Sequence, residues 1–404
     1  MEKHIEFVAK IINSSEFYKR KYKREKFDYN KAWDFSCIPV LTKQQIHNEW
    51  INIQSKINDE SDIVAVETSG TTGIPLKVLW TKKEYIQSNF YTWKLRLKWY
   101  KITPSMRYCT FHSCLASPSG IQKNDAVVLN EGRTLSLGRY VYYYDLLSEY
   151  VNLINEFEAE WILGPPSVIC LISQYMINNK KSLKKIKYIE LNGEFVENHM
   201  IELVKNAFPE VLVSNLYGSS EFNGIALTCP RGKMHLINNN VFVETIVKDE
   251  MPTLYITGLV NTLMPFIRYQ IGDLGQIEYG PCPCGCSGPF LKLKRGREKE
   301  LILLKNDYLF DPSSFNNVIH LINRKKPVIE QYRFIVRSAT QIEILLLLTD
   351  GDWDCNYIAR EVRDACLRLN STVTYIVRFA ANEMEMYNKC GKLSLVTYEE
   401  NQLF

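Results

Sequence analysis

The sequence predicts an α/β protein: a large N-terminal α/β domain with a β-barrel-like subdomain, followed by a small α+β C-terminal domain. Its 404 residues are more than one average domain needs. Strands and helices alternate through the middle of the chain, which is typical of a sheet with helices on its faces. After residue 296 the pattern changes to a unit of about 100 residues, a usual domain size. We therefore predict domains at 1–296 and 297–404.

Composition and charge exclude several classes of protein. Apolar residues make up 46% of the chain and charged residues 23%, which excludes a disordered or collagen-like chain. The net charge of +4 is too small to indicate a nucleic-acid partner. No apolar run approaches the roughly 20 residues that span a bilayer, and the N-terminus does not resemble a secretory signal, so no membrane is expected as a partner. The odd number of cysteines, 11, without an export signal predicts a cytoplasmic protein with reduced thiols.

The first 100 residues are predicted to form helices around one short strand. Residues 1–60 indicate a helix, a loop and a second helix, and the basic run from Lys19 to Lys26 is interpreted as a solvated helix face. The apolar run 63–66 predicts a strand, and residues 82–100 suit a helix. The predicted apolar face of this helix carries Phe90, Trp93, Leu97 and Tyr100.

The middle of the chain alternates strands and helices, and a segment of short strands follows it before the C-terminal domain. The predicted strands are 161–163, 188–191 and 211–216, and the helices between them are 166–178 and 197–208. From Val241 to Tyr279, short strands and turns indicate a β-barrel or an antiparallel sheet. In the C-terminal domain, we predict a hairpin, an amphipathic helix and a strand, at 331–337 with 341–349, at 356–369 and at 372–379.

A glycine-rich loop follows the first predicted strand. It consists of Thr68, Ser69, Gly70, Thr71, Thr72 and Gly73. Glycines allow backbone N–H groups to approach an anion, and the hydroxyls add donors, so the loop predicts polyphosphate binding. It lacks the G-x-x-x-x-G-K-[ST] pattern of a Walker A loop. An ordinary turn between a strand and a helix is the alternative interpretation.

Three further motifs carry polar or charged side chains that can bind a ligand. In Tyr217-Gly218-Ser219-Ser220-Glu221, which follows a predicted strand, the tyrosine can lie against an adenine ring. Ser220 can donate to a phosphate oxygen, and Glu221 can bind Mg²⁺. In Gly272-Asp273, after a glycine turn, the carboxylate can accept from both ribose hydroxyls. Gly391-Lys392 lies in a polar loop near the end of the chain. Taken singly, each has a solvated turn or surface as its alternative.

In this order and at these separations, the motifs resemble those of the adenylate-forming superfamily of acyl-CoA synthetases and peptide-synthetase adenylation domains. More specifically, the chain resembles the phenylacetate-CoA ligase family over nearly its whole length. Residues 38–43, IPVLTK, are similar to that family's opening. The segments LGPPSVICLIS and ELNGEFVENHM are similar to those around its acyl pocket. RGREKELILLKNDYLFDPSSF stands in the place of its hinge and the start of its mobile C-terminal domain.

The resemblance implies a role for each motif. The glycine-rich loop would bind the β- and γ-phosphates of ATP, Ser220 the α-phosphate and Glu221 Mg²⁺. Lys392, on the mobile small domain, would stabilise the negative charge that develops at the α-phosphate. Tyr217 would lie near adenine, and Asp273 and Arg297 would bind the ribose. The full set of further nucleotide contacts is Gly193, Glu194, Tyr217, Gly218, Ser219, Asp273 and Arg297. The predicted catalytic residues are Lys392, Glu221 and Ser220.

Three features depart from the family's pattern. Glu298 and Lys299 follow Arg297, where two acidic residues are usual, and Ser220 stands where many relatives carry threonine. The segment GKLSLV lacks the basic residues often found after the lysine. The first departure bears on the hinge, and the last bears on the thiol acceptor.

Cysteines and one histidine lie beside two of the motifs. Three thiolates and an imidazole are a standard tetrahedral set for structural Zn²⁺. The phenylacetate-CoA ligase family has members with Cys, His, Cys and Cys at these places. The predicted ligands are Cys229, His235, Cys282 and Cys284, with Cys286 as the competing ligand. Four protein ligands leave no open position, so the zinc is predicted to be structural.

The resemblance implies an AMP-forming acid–thiol ligase, which activates a carboxylic acid with Mg-ATP and transfers the acyl group to a thiol. The acid is expected to be aromatic, the family's usual substrate. Two acceptors stay open: the phosphopantetheine of an acyl or aryl carrier protein in secondary metabolite biosynthesis, or free CoA, as in a phenylacetate-type aryl-CoA ligase. A catalytically inactive, zinc-stabilised binding protein is the alternative from another class. The oligomeric state also stays open, with a homodimer as one alternative.

Overall fold

The computed structural model describes most of the chain in two compact units. Unit 1 comprises Met1–Thr68, Leu76–Pro104 and Leu212–Arg297, and unit 2 comprises Ser69–Pro75, Ser105–Val211 and Glu298–Phe404. The described residues are 2–24, 35–55, 62–67, 76–112, 126–138, 144–196, 198–248, 251–294, 302–304, 308–310, 322, 328–349, 351–369, 372–381, 383–386 and 396–398. The domain boundary at 296/297 lies outside them and stays a prediction.

The described elements confirm an α/β protein. The helices are α1 (Glu2–Ser14), α2 (Glu16–Arg24), α3 (Lys43–Asn48), α4 (Lys82–Tyr100), α5 (Tyr144–Glu156), α6 (Pro166–Asn179), α7 (Asn198–Ala207) and α8 (Cys355–Leu369). The strands are β1 (Ile63–Glu67), β2 (Lys77–Thr81), β3 (Tyr108–His112), β4 (Val127–Leu129), β5 (Thr134–Gly138), β6 (Trp161–Gly164), β7 (Tyr188–Asn192), β8 (Leu212–Ser219), β9 (Asn223–Thr228), β10 (Met234–Leu236), β11 (Val241–Lys248), β12 (Met251–Gly258), β13 (Tyr269–Glu278), β14 (Phe290–Leu293), β15 (Ile302–Leu304), β16 (Tyr308–Phe310), β17 (Ile329–Ser338), β18 (Gln341–Leu348), β19 (Thr374–Phe379) and β20 (Val396–Tyr398).

Unit 1 packs helices and a hairpin against an antiparallel sheet. The strand order of this sheet is β11-β12-β13-β14-β10-β9-β8, and of the two alternatives for residues 241–279 the structure has the antiparallel sheet. Helices α1 to α3 and strands β1 and β2 share one apolar core with it. Within this core, Tyr18 fixes the chain that enters β13, because its hydroxyl donates to the Pro265 carbonyl and accepts from the Ile267 N–H.

The basic residues of helix α2 are mostly exposed, as predicted, while its aromatic face is buried in the core. Lys19, Arg20 and Lys23 are exposed, whereas Lys21 is buried and donates to the side chain of Gln45 on α3. Helix α3 begins with a capping box, in which the Thr42 hydroxyl accepts from the Gln45 N–H and the Gln45 side chain accepts from the Thr42 N–H. The described N-terminal residues thus form three helices, α1 to α3, where two were predicted.

Helix α4 has the predicted bounds, but the predicted apolar face is wrong. Phe90 and Leu97 are 55% and 52% exposed. The cause is close packing on β9, where a Cβ added at Gly224 would collide with the Thr92 hydroxyl. A stripe of small and polar side chains lets the helix approach the sheet where large apolar ones would hold it away. The buried residues of the helix are Ser88, Thr92, Arg96 and Tyr100.

Unit 2 contains the predicted alternation of strands and helices. Strands β7, β6, β3 and β5 are parallel neighbours in that order, and β4 is antiparallel to β5. Within this sheet, Trp161 stacks on Tyr108 with ring centroids 4.5 Å apart. Parallel strands joined by helices bury both faces of a sheet, which accounts for the burial of nearly every residue of β5 and β6.

The C-terminal part of the chain forms a second, smaller sheet with its own core. The strand order is β19-β18-β17-β20, with β17 and β18 as the predicted hairpin. Helix α8 and β19 confirm the predicted helix and strand, and their apolar residues pack in one cluster with β17 and β18. Among the described helices, none combines the length and apolar character needed to cross a bilayer.

Candidate active site and metal centre

Two of the sequence motifs are joined by a hydrogen bond. Tyr217 Oη donates to Asp273 Oδ2 at a distance of 2.7 Å. The tyrosine lies within β8, which continues to Ser219, so the prediction that this motif follows the strand is wrong. The pairing of β8 with β9 shifts register between Tyr217 and Gly218. A Cβ at Gly218 would lie 2.5 Å from the Asn223 carbonyl oxygen, so the close approach of the two strands requires glycine.

Asp273 lies in a bulged part of β13, and the predicted glycine turn is therefore wrong. β12 pairs Tyr255 with Gln270 and Thr253 with Leu274, so two steps along β12 span four along β13. Gly272, inside this bulge, has a φ of +85°, a conformation that glycine adopts without strain. Bulges interrupt a ladder and redirect a side chain, and here the redirected carboxylate meets Tyr217.

Ser220 and Glu221 connect the same motif to two other parts of unit 1. Ser220 Oγ donates to the Glu67 carbonyl oxygen at 3.1 Å. Glu67 is the last residue of β1 and directly precedes the glycine-rich loop. Glu221 is only 8% exposed, and its Oε1 accepts from Tyr269 Oη at 3.3 Å. The structure therefore brings together the tyrosine motif, the aspartate motif and the base of the glycine-rich loop.

The strands on either side of that loop contradict the alternative interpretation, an ordinary turn between a strand and a helix. β1 and β2 are an antiparallel hairpin in which Glu67 pairs with Lys77, so the loop connects two strands and not a strand and a helix. The loop residues themselves, and two other predicted site residues, lie outside the described residues: Thr68, Ser69, Gly70, Thr71, Thr72, Gly73, Arg297 and Lys392.

A buried arginine that the sequence analysis did not single out fixes the start of β13. Arg268 is 4% exposed, and its Nε pairs with Glu244 Oε2 at 3.0 Å. Its Nη1 donates to the Ile38 carbonyl oxygen. The Leu41 N–H donates to the Arg268 carbonyl, and the Gln270 N–H donates to the Leu41 carbonyl. The segment IPVLTK thus holds the strand that carries Asp273, a contact that spacing along the chain does not reveal.

Gly193 and Glu194 follow β7 in unit 2. Gly193 has a φ of +84°, which places it in a turn that favours glycine. Burial, with the Glu194 charge as a smaller contribution, raises the pKa of the Cys170 thiol to about 12. Their predicted role in nucleotide binding stays a prediction.

The four predicted metal ligands lie together in unit 1. Cys229 Sγ is 3.7 Å from Cys282 Sγ, and Cys284 Sγ is 3.4 Å from His235 Nε2. All four ligand atoms lie within 4.8 Å of one another. With Zn–S bonds of about 2.3 Å, the sulfur atoms of a tetrahedral site lie roughly 3.8 Å apart. The cluster therefore has the donor set and dimensions that a tetrahedral zinc site needs.

Two turns and one strand hold these side chains. The Gly232 N–H donates to the Cys229 carbonyl, and the Gly285 N–H donates to the Cys282 carbonyl. Both glycines have positive φ, at +78° and +84°. His235 lies in the middle of β10 and packs edge-on against a phenylalanine of β14. The cluster thus joins the chain that follows β9 to the chain that precedes β14.

Cys286, the competing ligand, lies outside this cluster. Its Sγ accepts from Lys98 Nζ at 3.0 Å, and this hydrogen bond lowers the pKa of the Cys286 thiol. Burial, and then the charges of Lys98 and Lys233, lower the pKa of His235, which favours the neutral imidazole that a metal needs. None of the nine described cysteines forms a disulfide.

Two curated relatives match the chain. Protein CapK from Staphylococcus aureus is 22% identical over 374 residues, which cover 89% of this chain and 79% of that protein. Phenylacetate-coenzyme A ligase from Thermus thermophilus is 25% identical over 208 residues, which cover 46% of this chain and 44% of the ligase. The second match thus spans less than half of that protein. No protein-family profile matches the chain.

Among solved structures, the chain is similar to a 2-hydroxyisobutyryl-CoA ligase. In its thioesterification state, in complex with 2-HIB-AMP and CoA, that ligase aligns with a TM-score of 0.63 and 15% identity, covering 98% of this chain and 88% of the ligase. An open conformation of the same ligase aligns with a TM-score of 0.57 and 14% identity, covering 98% of this chain and 90% of the ligase. The chain therefore has the fold of the adenylate-forming acyl-CoA ligases, which confirms the resemblance at the level of fold.

Proposed function

We propose that this protein is an AMP-forming acid–thiol ligase. The observation that carries the proposal is the contact set of Tyr217 with Asp273 and of Ser220 with the carbonyl of Glu67. These contacts put a hydroxyl–carboxylate pair and the base of a glycine-rich loop at one place in the fold of such a ligase. The ligase with which it aligns holds an acyl-adenylate and CoA, which supports the same pair of half-reactions here.

In the first half-reaction, the carboxylate of the acid attacks the α-phosphorus of ATP, and pyrophosphate leaves. Asp273 accepts from the ribose hydroxyls while Tyr217 fixes its orientation. The Ser220 hydroxyl, which donates to the Glu67 carbonyl in this structure, would turn to donate to the α-phosphate. Glu221 offers a largely buried carboxylate, which suits a hard cation such as Mg²⁺. The magnesium ion would neutralise phosphate charge. No protein nucleophile is required, so catalysis depends on positioning and electrostatics.

Three further groups complete this proposed site on the strength of the resemblance. The loop from Thr68 to Gly73 binds the terminal phosphates, and Arg297 assists at the ribose. Lys392 stabilises the charge that develops at the α-phosphate, a role for which a mobile point charge is suited. The remaining backbone and side-chain contacts to the nucleotide are assigned to Gly193, Glu194, Gly218 and Ser219.

In the second half-reaction, a thiol displaces AMP from the acyl-adenylate. We propose an aromatic acid and a phosphopantetheine thiol as the substrates. CoA as the acceptor is supported by the relatives that are named CoA ligases. The lack of basic residues after Lys392 favours a carrier protein instead. Comparing thioester formation with free CoA and with a phosphopantetheinylated carrier protein separates these acceptors.

Carboxylate-dependent exchange between ATP and labelled pyrophosphate tests the proposed activity. We expect exchange with at least one member of a panel of aromatic and hydroxylated acids. Asp273→Asn loses the carboxylate, so we expect it to have a higher KM for ATP. Tyr279→Phe is the control for nonspecific effects of a substitution, because Tyr279 is 79% exposed. Folded protein that gives no exchange with Mg²⁺ and the whole panel would overturn the proposal in favour of an inactive binding protein.

We also propose that Cys229, His235, Cys282 and Cys284 bind one structural Zn²⁺. Such an ion would tie the chain that follows Glu221 to the chain that follows Asp273, and it would stabilise the nucleotide site without taking part in the chemistry. Unpaired thiols are kept reduced in the cytosol, so the proposal includes a cytoplasmic location.

Elemental analysis and thermal unfolding test the zinc proposal. We expect close to one zinc per chain, and a lower Tm after chelation, because metal binding to a structural site contributes to folding free energy. Cys284→Ser should lose zinc and lower the Tm. Cys286→Ser is the matched control, since its thiol is paired with Lys98, and it should retain zinc. The opposite result for the two variants would move the fourth ligand to Cys286, and a stable zinc-free protein would remove the site.

A further inference from the structure

The last turn of α4 contacts the proposed zinc site or the chain beside it through three consecutive residues, Lys98, Trp99 and Tyr100. Tyr100 Oη donates to the carbonyl oxygen of Thr228, the residue directly before the ligand Cys229. Tyr100 and Thr228 are 128 positions apart in the sequence, so the fold alone brings the turn to this place. The turn offers no ligand of its own, because it contains no thiol, imidazole or carboxylate.

The imidazole of His235 packs against two aromatic rings, one of them from this turn. The ring centroid of Trp99 lies 5.2 Å from that of His235 at an interplanar angle of 49°, and Phe290 meets the imidazole edge-on at 4.8 Å. Trp99 and Phe290 also pack with Cys229 and Cys282 in one apolar cluster. Groups around a metal site orient its ligands, and apolar ones limit the access of water. The two rings therefore restrict the rotation of the imidazole.

The charge of the zinc site favours a cation at the end of α4. Three thiolates and one Zn²⁺ carry one net negative charge, and the C-terminal end of a helix carries a partial negative charge as well. Lys98 is the basic residue of the last turn. Its Nζ lies 3.0 Å from the sulfur of Cys286, two residues after the ligand Cys284. The ammonium group thus lies where it can offset both negative charges.

The middle of α4 is bonded to the chain that follows Glu221. Ser88 Oγ donates to the Phe222 carbonyl oxygen at 3.4 Å and accepts from Asn223 Nδ2 at 3.1 Å. Phe222 is the residue directly after Glu221. Helix α4 therefore contacts the chain beside the proposed magnesium ligand with its middle and the proposed zinc ligands with its last turn.

We propose that the last turn of α4 supports the zinc site from outside its ligand set. Trp99 is a positioning residue for His235, and Lys98 offsets the negative charge of the thiolates. The inference rests on the proposed zinc site, and it adds a third segment to the two that carry the ligands. Zinc then fastens the C-terminal end of α4 to the sheet.

Substitutions of Trp99 and Lys98 test the inference in the full-length, zinc-loaded protein. Trp99→Leu removes the ring, whereas Trp99→Phe keeps an aromatic ring beside His235. Lys98→Gln removes the charge and keeps a polar side chain of similar length. For each protein, we would measure the rate of zinc transfer to a chromogenic chelator, and the Tm before and after zinc removal.

Two matched controls come from the same helix. Trp93→Leu makes the same change as Trp99→Leu at a ring that lies against the Arg96 guanidinium. Lys94→Gln makes the same change as Lys98→Gln at an exposed lysine that lies over the Phe90 ring. Neither of these described contacts involves a proposed zinc ligand.

The two substitutions should differ in their dependence on salt. Trp99→Leu should release zinc roughly 10- to 100-fold faster at any salt concentration, and Trp99→Phe should stay near the rate of the unchanged protein. Lys98→Gln should accelerate release less, and its effect should vanish at about 1 M salt, because Lys98 is exposed and the Debye length is then about 3 Å. Zinc removal should lower the Tm of Trp99→Leu by less than it lowers that of Trp93→Leu.

Hydrogen exchange tests whether zinc fastens α4. Removing zinc from the unchanged protein should accelerate exchange at the backbone N–H groups of residues 97–101 more than at those of residues 86–90. The first range covers the turn beside the zinc ligands, and the second surrounds Ser88, whose bonds do not depend on the metal. Protection against exchange measures local opening, so the comparison reports where the metal adds stability.

Four outcomes would overturn the inference. Equal zinc release from Trp99→Leu and Trp93→Leu would remove the positioning role, and an equal loss of Tm with and without zinc would mark Trp99 as merely structural. A salt-independent effect of Lys98→Gln, or one no larger than that of Lys94→Gln, would remove the charge role. Exchange in residues 97–101 that does not respond to zinc would show that the metal does not fasten α4.

Failure of the proposed zinc site itself gives a different result. Unchanged protein that binds no zinc would remove the site together with this inference, and that measurement needs no variant of α4. Zinc bound at one ion per chain, but released equally fast from all variants, would leave the site in place and remove the role of the α4 turn alone.

Discussion

The bond between Tyr217 and Asp273 sets the orientation of the carboxylate that we assign to the ribose. Tyr217 Oη lies 2.7 Å from Asp273 Oδ2. Tyr217 lies on β8, directly before the shift in its pairing with β9. A carboxylate has about four lone-pair sites, so one bond fixes the group without using its whole acceptor capacity. Tyr217 therefore acts as an orienting partner as well as a surface beside the adenine.

Tyr217→Phe should weaken ATP binding while leaving the ring in place. A hydrogen bond to a charged group contributes about 1.5–3 kcal/mol net, which corresponds to roughly a 10- to 150-fold rise in KM for ATP. The kcat of adenylate formation should change little, because the bond is made before and during the reaction alike. Initial rates of pyrophosphate exchange over a range of ATP concentrations measure both. An unchanged KM would mean that Tyr217 does not orient Asp273 for the nucleotide.

Residue chemistry decided which parts of the site could be predicted. Cys229 with His235 and Cys282 with Cys284 form two pairs far apart in sequence; their donor types suggested a metal, the resemblance joined them into one predicted centre, and the structure brings their ligand atoms within 4.8 Å. The pair of Arg268 and Glu244 was not foreseen, because an arginine can pair with any of many acids and only the fold selects one.

At the scale of elements, hydrophobic periodicity predicted where a helix begins and ends better than which of its faces is buried. Helix α4 occupies the predicted residues 82–100, yet its buried stripe is the polar one. Apolar periodicity assumes that the sheet accepts large side chains, and β9 instead presents Gly224 at the contact. Similarly, Gly272-Asp273 suggested a turn, whereas β13 passes through it as a bulge because its neighbours continue the ladder on both sides.

Gly224→Ala should destabilise the protein by about 1–3 kcal/mol, because the added methyl collides with the Thr92 hydroxyl in a packed interface. The double variant Gly224→Ala with Thr92→Ala should recover most of the loss, since it removes the colliding oxygen. Phe90→Ala is the surface control and should stay within about 0.5 kcal/mol. Denaturant unfolding of the four proteins gives these values. A double variant no more stable than Gly224→Ala would contradict the packing of α4 on β9.

At the scale of the whole molecule, the apolar clusters bear on the domain organisation. The main core of unit 1 is formed entirely by residues up to Leu293, and the core of the C-terminal sheet entirely by residues from Ile322 onward. A segment that encloses its own apolar core can fold as a domain. Unit 2, however, contains Ser105–Val211 together with the C-terminal residues, and Ser105–Val211 precedes the predicted boundary. The boundary at 296/297 therefore needs a direct test.

Producing residues 1–296 and 297–404 separately provides that test. The fragment 297–404 should unfold cooperatively, and its one tryptophan, Trp353, which donates to the Thr349 carbonyl, reports the transition by fluorescence. The fragment 1–296 contains Tyr217, Asp273 and the proposed zinc ligands, so it should retain zinc and bind AMP. Because it lacks Lys392, its pyrophosphate exchange should fall by about 10²–10³-fold, the loss that we also expect for Lys392→Ala in the full-length protein. An unfolded 297–404 fragment would remove the boundary, and undiminished exchange by 1–296 would show that adenylate formation does not need the C-terminal domain.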